Sequence, residues 1–283
     1  MSDDRRPLVS LCLLAYNQER FVEEAVAGAL AQTYEPLQVI LSDDASTDGT
    51  FERMSRVAAG YVGPARVLLN RNAVNLGLGA HINLLTGHLA SGELIALAAG
   101  DDVSLPDRIS RSVACLAAHP DVMAVSTALT LIDEHGRELP RGGPRPSATA
   151  VYDLAGYVAD PAMHVNGPSR TFRRVVADTF GPLEEGCPTE DSTYLLRCLL
   201  MGRVALLPEP LVRYRRHGGN LSAPHNIQRL SVDRIVSQYR ADIATAERVV
   251  GLSTDTKAGL LARVEANARA RRLRAPPVDE DKR

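Results

Sequence analysis

The stretch that most constrains the fold is residues 93–103, in which an uninterrupted apolar run ends on two adjacent carboxylates, Asp101 and Asp102. Such a run, bounded by polar turns, is typical of a strand buried on both faces in the middle of a parallel sheet. In open α/β sheets, ligands bind beyond the carboxyl ends of these strands. The carboxylates are therefore expected at a ligand-binding edge, where their oxygens suit Mg²⁺ or Mn²⁺ carrying a diphosphate. The alternative is a helix cap ahead of Leu105-Pro106-Asp107, since Asp is a preferred cap and Pro suits a first turn.

The first 120 residues alternate between predicted strands and predicted helices. Strands are predicted at 8–14, 37–42, 66–69 and 94–99, and helices at 21–30, from about 50, at 80–90 and at 105–119. This alternation requires a parallel sheet with right-handed crossovers. The predicted class is α/β, with a Rossmann-like, mostly parallel sheet flanked by helices.

After Pro120 the pattern changes. Strands are predicted at 122–131, 168–173, 203–207 and 211–215, and helices up to Phe180, at 190–201 and at 227–273 with a break near 251–253. The tail from Ala275 to Arg283 contains Pro276-Pro277 and mixed charges, and is predicted to be disordered.

Composition excludes several classes of protein. The 283 residues are 45% hydrophobic with a formal net charge of −2, which is ample for a core and argues against a strong electrostatic grip on nucleic acid. Four cysteines without metal-type spacing, Cys12, Cys115, Cys187 and Cys198, are interpreted as reduced core residues of a cytoplasmic protein. No signal-peptide layout and no apolar stretch of roughly 20 residues is found, so a soluble protein is expected.

Polar residues follow every predicted strand of the first half. They are Tyr16, Asn17 and Glu19 after the first strand, Asp43 and Asp44 after the second, Asn75, Gly77 and Gly79 after the third, and Asp101 and Asp102 after the fourth. One carboxylate here can accept hydrogen bonds from a base imide or ribose hydroxyls while another holds a metal. Adjacent acidic groups repel one another unless a cation or ligand donors offset their charge.

Two other phosphate-binding patterns do not fit the sequence. Gly77-Leu78-Gly79 lies between a strand and a helix, but Ile82 stands where a dinucleotide fingerprint has its third Gly, and the motif follows the third strand instead of the first. No G-x-x-x-x-G-K-[ST] loop is present.

The ordered set of motifs resembles the family 2 glycosyltransferases of the GT-A fold. The motifs are residues 10–17, 43–50, 75–77, 91–95, 100–102, 189–191 and 215–222, so the resemblance covers roughly 7–222. It implies a GT-A domain with a C-terminal helical extension, and an inverting transferase that moves a sugar from a nucleotide diphosphate, of UDP or dTDP type, to an acceptor hydroxyl. The implied divisions are a nucleotide-sugar-binding half at 1–120, an acceptor-side and catalytic half at 121–222, C-terminal helices at 223–274 and a tail at 275–283.

The resemblance also implies roles for individual residues. Asp44 would meet the base, Tyr16 would flank it, Asp101 would touch the ribose and Asp102 would bind Mn²⁺ or Mg²⁺. The full implied nucleotide site is Tyr16, Asn17, Glu19, Asp44, Asn75, Gly77 and Asp101, and the implied metal ligands are Asp102, Asp101 and His217. Arg213, Arg215 or Arg216 would reach phosphates, while the alternative for this loop is an exposed basic turn.

Asp191 in Thr189-Glu190-Asp191 matches the catalytic aspartate of that family, which takes the proton of the acceptor hydroxyl. A helix N-terminus capped by Thr189 is the structural alternative, and both interpretations can hold together. The sequence departs from the family pattern at Ala99, where a full D-x-D motif has an acidic residue, at Ala15 and at Ile82. The division of labour between Asp101 and Asp102 therefore stays open.

Two rival functions remain open. A sugar-phosphate nucleotidyltransferase is expected to have a Gly-rich loop after the first strand, where this chain has Ala15-Tyr16-Asn17. A non-catalytic nucleotide-sugar-binding module would bind the donor without turnover. The acceptor is a glycan, a lipid-linked intermediate or a small molecule. The basic run Arg269, Arg271, Arg272 and Arg274 suggests peripheral contact with the inner face of the membrane, or else a solvated helix face, and the C-terminal helices suggest a homodimer.

Overall fold

The computed structural model describes residues 5–140, 147–160, 163, 165–221, 223, 226 and 230–274. Within these residues the strands are β1 Val9–Ala15, β2 Leu37–Asp43, β3 Arg66–Arg71, β4 Leu94–Ala99, β5 Val103–Ser104, β6 Val122–Ile132, β7 Ala150–Tyr152, β8 Thr171–Arg173 and β9 Arg203–Arg215. The helices are α1 Val22–Leu30, α2 Thr50–Ala59, α3 Leu78–Leu84, α4 Arg108–Ala118, α5 Leu154–Ala159, α6 Arg174–Phe180, α7 Glu190–Met201, α8 Val232–Val250 and α9 Thr254–Arg274.

The strands form one mixed sheet in the order β3-β2-β1-β4-β8-β6-β9-β5, with β7 paired to β9. The first four strands run parallel, as the alternation of strands and helices predicts. Strand β8 is antiparallel to both β4 and β6 and joins this half to the parallel pair of β6 and β9. The carboxyl ends of β1, β2 and β4 therefore meet at one edge.

The central strands are buried because their apolar side chains face helices on both sides of the sheet. In β1, for example, Leu11 and Leu13 lie in the core layer that contains α1, while Cys12 lies in the layer that contains α7 and α8. All four cysteines are buried and unpaired, as the sequence predicts. No helix in the described ranges is long and apolar enough to span a bilayer.

The structure corrects two predicted elements. Residues 203–207 and 211–215 form the single strand β9, which stays paired with β6 because shifts in the pairing register around Thr127, Ala128 and Leu129 accommodate Pro208 and Pro210. The helix predicted at 80–90 begins at Leu78 and continues as a π-helical turn, Leu85–Leu89. The predicted disordered tail lies outside the described residues.

The C-terminal helix α8 is held against α7 by a buried ion pair. Arg197 and Asp242 form two parallel hydrogen bonds of 3.0 Å each, and both side chains are excluded from solvent. Gln238, one turn earlier, donates to Asp242 at 3.0 Å and accepts from the Glu184 N–H at 2.6 Å. Burial raises the pKa of Asp242, and the Arg197 guanidinium opposes that rise. Helix α8 is thus fixed to α7, the helix whose first turn contains Asp191.

Replacing Arg197 by Met is expected to lower the free energy of unfolding by about 3–5 kcal/mol, because Asp242 would remain buried without its counter-ion. The matched control is Arg240→Met in α8. Arg240 pairs with Glu265, and its side chain is more than half exposed. Its loss should cost less than about 1 kcal/mol. Urea unfolding of both variants checks this, and equal losses would show that the buried pair has no special weight.

Candidate active site

Side-chain hydrogen bonds join the loops that follow β1 and β2 at the edge of the sheet. The Asn17 side-chain oxygen accepts from the Thr47 N–H at 2.9 Å, and the Glu19 carboxylate accepts from the Gly49 N–H at 2.9 Å. Asn17 has a left-handed φ of 51°, which Asn tolerates. These side chains, predicted to bind nucleotide, therefore hold the neighbouring loop. The ring of Tyr16 is 46% exposed, as a stacking surface requires.

Asp43 is the last residue of β2 and Asp44 follows it, and the two carboxylates hold different loops. Asp43 is fully buried, accepts from the Ser46 N–H at 3.0 Å and from the Ser46 hydroxyl, and so shapes its own loop. Asp44 reaches across to the loop after β3, where it accepts from the Asn72 amide at 2.8 Å and from the Leu76 and Gly77 N–H groups at 2.9 and 3.0 Å. Asp44 is thus a buried carboxylate that organises this second loop.

Asn75 and Gly77 belong to that loop and lead into α3. The Asn75 side-chain oxygen accepts from the Gly77 N–H at 3.0 Å. Gly77 has a φ of 76°, a left-handed conformation that favours glycine, although an added Cβ would meet open space. The backbone therefore requires glycine at this position for its conformation and not for close approach.

Asp101 lies beside the late loop that follows β9. Its Oδ2 atom is 2.9 Å from His217 Nε2 and accepts from the Asn220 amide at 3.3 Å. The His217 ring packs on Phe21 with centroids 4.7 Å apart, and its backbone N–H donates to Asn220 at 2.6 Å. The fold therefore brings together an aspartate and a histidine that are far apart in sequence, as the predicted metal set requires.

Asp102 is buried next to this pair. Its Oδ1 atom accepts from the Arg215 N–H at 2.9 Å, whereas its buried Oδ2 atom has no hydrogen-bond partner. Burial raises the pKa of Asp102 well above its usual range and the charge of Asp101 raises it further, while the Arg215 N–H and the charges of Arg108 and Arg215 lower it. A cation near Oδ2 would relieve this cost. Among the described residues, no group of three or more His, Cys, Asp or Glu side chains is arranged to hold a metal ion.

The three arginines at the end of β9 and the start of the late loop differ in their hydrogen-bond partners. Arg215 is buried and donates to Glu24 at 2.7 Å and to the Asp101 carbonyl at 2.9 Å. Arg213 donates to the Gly136 carbonyl at 2.8 Å. The Arg216 side chain is exposed and, within the described ranges, makes no recorded side-chain bond. Of the three residues predicted to reach phosphates, Arg216 is therefore the one whose guanidinium makes no hydrogen bond to the described part of the chain.

Glu190 and Asp191 begin α7. The Asp191 carboxylate accepts from the Ser192 N–H at 2.6 Å, so it lies over the helix N-terminus, where the peptide dipoles favour negative charge. Burial raises the pKa of Glu190 to about 8, with a further contribution from the charge of Asp191. The pair therefore combines a carboxylate with a neighbour that stays protonated at neutral pH.

Two residues that the sequence analysis did not single out support this helix start. A Cβ on Gly167 would lie 2.3 Å from the Asp191 Cβ, so only glycine allows the two segments to meet. The buried Arg170 guanidinium donates to the Asp191 carbonyl, and to the Val165 carbonyl at 3.1 Å. Arg170 in turn accepts at its own carbonyl from Arg108 at 3.4 Å. Buried arginines therefore connect the surroundings of Asp102 to those of Asp191.

The fold thus forms two groups of predicted site residues around the edge, one at Asp44, Asn75 and Gly77 and one at Asp101, Asp102 and His217. No recorded contact in the described part of the chain joins Asp191 to either group. His164 and Asn166 are two further polar positions where contact with an acceptor is plausible from the sequence. His164 lies outside the described residues, and the Asn166 amide donates to the Thr127 carbonyl at 3.2 Å. Arg108 and Arg170 have no pattern of their own in the sequence, because buried arginines resemble surface residues there, whereas Asn220 lies within the motif at 215–222.

Comparison with known proteins gives a family and a fold. The sequence model of the family described as Glycosyl transferase family 2 matches residues 10–180, more than half of the chain. The putative glycosyltransferase EpsE of Bacillus subtilis is 39% identical over 130 residues, which are 46% of each protein. The chain thus spans about half the length of this relative.

Solved structures match over most of the chain. TarS of S. aureus, solved with UDP-GlcNAc, superposes with a TM-score of 0.70 and 18% identity, over 91% of this chain and 71% of that one. The mannosyltransferase PcManGT of Pyrobaculum calidifontis, solved with GDP-Man and Mn²⁺, superposes with a TM-score of 0.58 and 19% identity, over 96% and 77%. At this level of identity they show the fold alone, a mixed α/β sheet of the GT-A type. With this fold, and with the family model matching from the first strand to the end of α6, the chain belongs to glycosyl transferase family 2.

Proposed function

We propose that the protein is a metal-dependent, inverting glycosyltransferase that moves a sugar from a UDP- or dTDP-sugar to an acceptor hydroxyl. The observation that carries this proposal is the buried, unpartnered Oδ2 atom of Asp102 beside the pair of Asp101 and His217. Family membership favours this reaction over that of a nucleotidyltransferase. It leaves a non-catalytic binding module to be excluded by experiment.

The chemistry of the donor atoms supports a divalent ion, and not a preformed three-ligand arrangement, which the described residues lack. Carboxylate oxygens suit Mg²⁺ and Mn²⁺, and a neutral imidazole nitrogen is a common metal ligand. Asp102 Oδ2, Asp101 Oδ2 and His217 Nε2 would hold the ion, while Arg216 would bind the diphosphate. When bound, the ion would offset the charge of the departing nucleoside diphosphate. The remaining contributions come from the chain itself.

Asp191 is the proposed base, which takes the acceptor hydroxyl proton as the oxygen attacks the anomeric carbon. Glu190 is the alternative carboxylate, but burial raises its pKa to about 8, so most of it carries a proton at pH 7. Arg170 holds the Asp191 carbonyl, and Gly167 lies against its side chain. Both fix the position of the carboxylate without touching substrate.

The remaining parts of the proposal concern location and assembly. We place the nucleotide-sugar-binding half at residues 1–120, the acceptor-side half at 121–222 and the C-terminal helices at 223–274. We propose a cytoplasmic enzyme whose acceptor is a glycan, a lipid-linked molecule or a small molecule. Exposed basic residues of α9 support contact with an anionic membrane, although Arg272 is paired with Asp233 at 2.7 Å. Co-sedimentation with anionic vesicles tests membrane contact, and light scattering tests a homodimer.

Asp102→Ala should abolish metal-dependent binding of UDP and dTDP. Mutating a residue that only supports a metal ligand typically lowers metal affinity by about 10- to 100-fold, and loss of a direct ligand should lower it further. Calorimetric titration with and without Mn²⁺ measures this. Asp178→Ala, which removes an exposed carboxylate on α6, is the control and should bind like the wild type. Metal-dependent binding that survives in Asp102→Ala would remove this residue from the site.

Asp191→Asn should bind UDP nearly as well as the wild type while turnover falls by about 100-fold or more, the usual contribution of a general base. Glu190→Gln is the matched comparison, because glutamine mimics the neutral acid, and its turnover at pH 7 should stay close to wild type. The measurement is transfer from a radiolabelled UDP-sugar. The reverse ranking of the two variants would make Glu190 the base, and an inactive wild type that binds UDP would favour a binding module.

Glu190 also predicts a dependence of stability on pH. Because its folded-state pKa of about 8 exceeds the unfolded value of 4.5, the folded protein keeps a proton that the unfolded chain releases. This contribution to stability is therefore full below pH 4.5 and is lost as the pH rises towards 8. Glu190→Gln lacks it, so its melting temperature should exceed that of the wild type by more at pH 8 than at pH 5. A difference that does not change with pH would show that Glu190 titrates normally.

A further inference from the structure

A buried chain of hydrogen bonds ends on Asp44. It begins at His81 in α3, where Nε2 is 2.6 Å from the Ser42 hydroxyl oxygen, and both side chains are almost fully buried. The Asn70 amide donates to that oxygen at 2.9 Å and to the Asn72 side-chain oxygen at 3.0 Å. The Asn72 amide donates to Asp44 at 2.8 Å. We call the four residues His81, Ser42, Asn70 and Asn72 the relay.

The relay fixes the direction of the bonds between Asn70 and Asp44. Asn70 uses both amide hydrogens, so the Asn72 oxygen is an acceptor and its amide nitrogen must face Asp44. The Ser42 oxygen accepts from Asn70 and also bonds to His81 Nε2, either by donating its one proton to that nitrogen or by accepting from an Nε2–H. Burial lowers the pKa of His81, while the charges of Asp44 and Asp43 oppose that shift.

As a result, Asp44 has few hydrogen-bond acceptor positions left for a ligand. A carboxylate has about four acceptor positions. Asp44 Oδ1 fills two with the Asn72 amide and the Leu76 N–H, and Oδ2 fills one with the Gly77 N–H. One position on Oδ2 remains. Uracil and thymine present a single N–H between two carbonyls, whereas guanine presents two adjacent donors, N1–H and N2–H, that together require two acceptors.

We propose that His81 is a positioning residue for donor recognition, which acts through the relay to leave Asp44 one acceptor position and so selects uracil or thymine over guanine. The inference rests on the proposed function, because Asp44 must face the donor base. His81 itself touches no substrate. Its effect is on which nucleotide binds and not on the transfer step.

The test is calorimetric titration of UDP, dTDP and GDP in the presence of Mn²⁺. The wild type should prefer UDP to GDP. His81→Leu removes the hydrogen-bond partner of Ser42, so the Ser42 hydroxyl no longer holds Asn70 and Asn72 in one orientation. It should lower the UDP-to-GDP affinity ratio about fivefold to tenfold, the equivalent of about one hydrogen bond. His81→Gln, whose side-chain oxygen can replace Nε2, should keep the ratio.

The control is Thr86→Val, which removes another buried hydrogen bond, from Thr86 to the Ile82 carbonyl at 2.9 Å, and should leave the ratio unchanged. If His81→Leu does not fold, Asn70→Ala interrupts the relay at a partly exposed residue and is read in the same way. A purely structural role for His81 would weaken all three nucleotides equally, and that result would overturn the inference.

The outcome also separates the inference from the proposed function. A wild type that binds UDP, with variants that keep its ratio, contradicts the relay alone. A wild type that prefers GDP also contradicts the relay but leaves a glycosyltransferase. A wild type that binds none of the three nucleotides contradicts the proposed donor, and the inference fails with it.

Discussion

The bonds of Arg215 hold the acidic edge together. A buried guanidinium must be paired, and Arg215 satisfies this requirement with the Glu24 carboxylate, the Asp101 and Asp133 carbonyls and the face of Phe21. Its backbone N–H also fixes one oxygen of Asp102. Because the late loop starts here, His217 follows two residues later at a defined distance from Asp101. Helix α1, the loop after β4 and the end of β9 are thus joined through one side chain.

The same strand links this edge to the helix that carries Asp191. Helix α7 leads directly into β9, so its C-terminal end is connected to the start of the strand that ends at Arg215. Helix α8 braces α7 from the outside through the buried ion pair of Arg197 and Asp242. The C-terminal helices, which lie beyond the part matched by the family model, are therefore structurally continuous with the candidate site.

Much of this arrangement follows from the sequence. The parallel half could be predicted because its strands are continuous apolar runs and the helices between them have clear periodicity. The grouping of Asp101 and Asp102 at an edge follows from the rule that parallel strands share their carboxyl ends. The use of Asn17 and Glu19 as loop braces could not be predicted, because a polar side chain after a strand serves equally as a ligand or as a partner for backbone N–H groups. The sequence predicts two strands in place of β9, because Pro208 and Pro210 normally interrupt a strand. Nothing in the sequence indicates that the pairing register of β6 shifts to accommodate them.

Gly167 shows how a residue without functional groups can determine chemistry. The space that a side chain at position 167 would fill is occupied by Asp191, because an added Cβ would lie 2.3 Å from the Asp191 Cβ. Any larger residue would push the carboxylate away from its place over the helix, although every functional group of the site would still be present. On the proposed mechanism, natural variation at this position would therefore disable transfer in the same way as loss of the aspartate, while leaving all the motifs by which such a site is recognised intact.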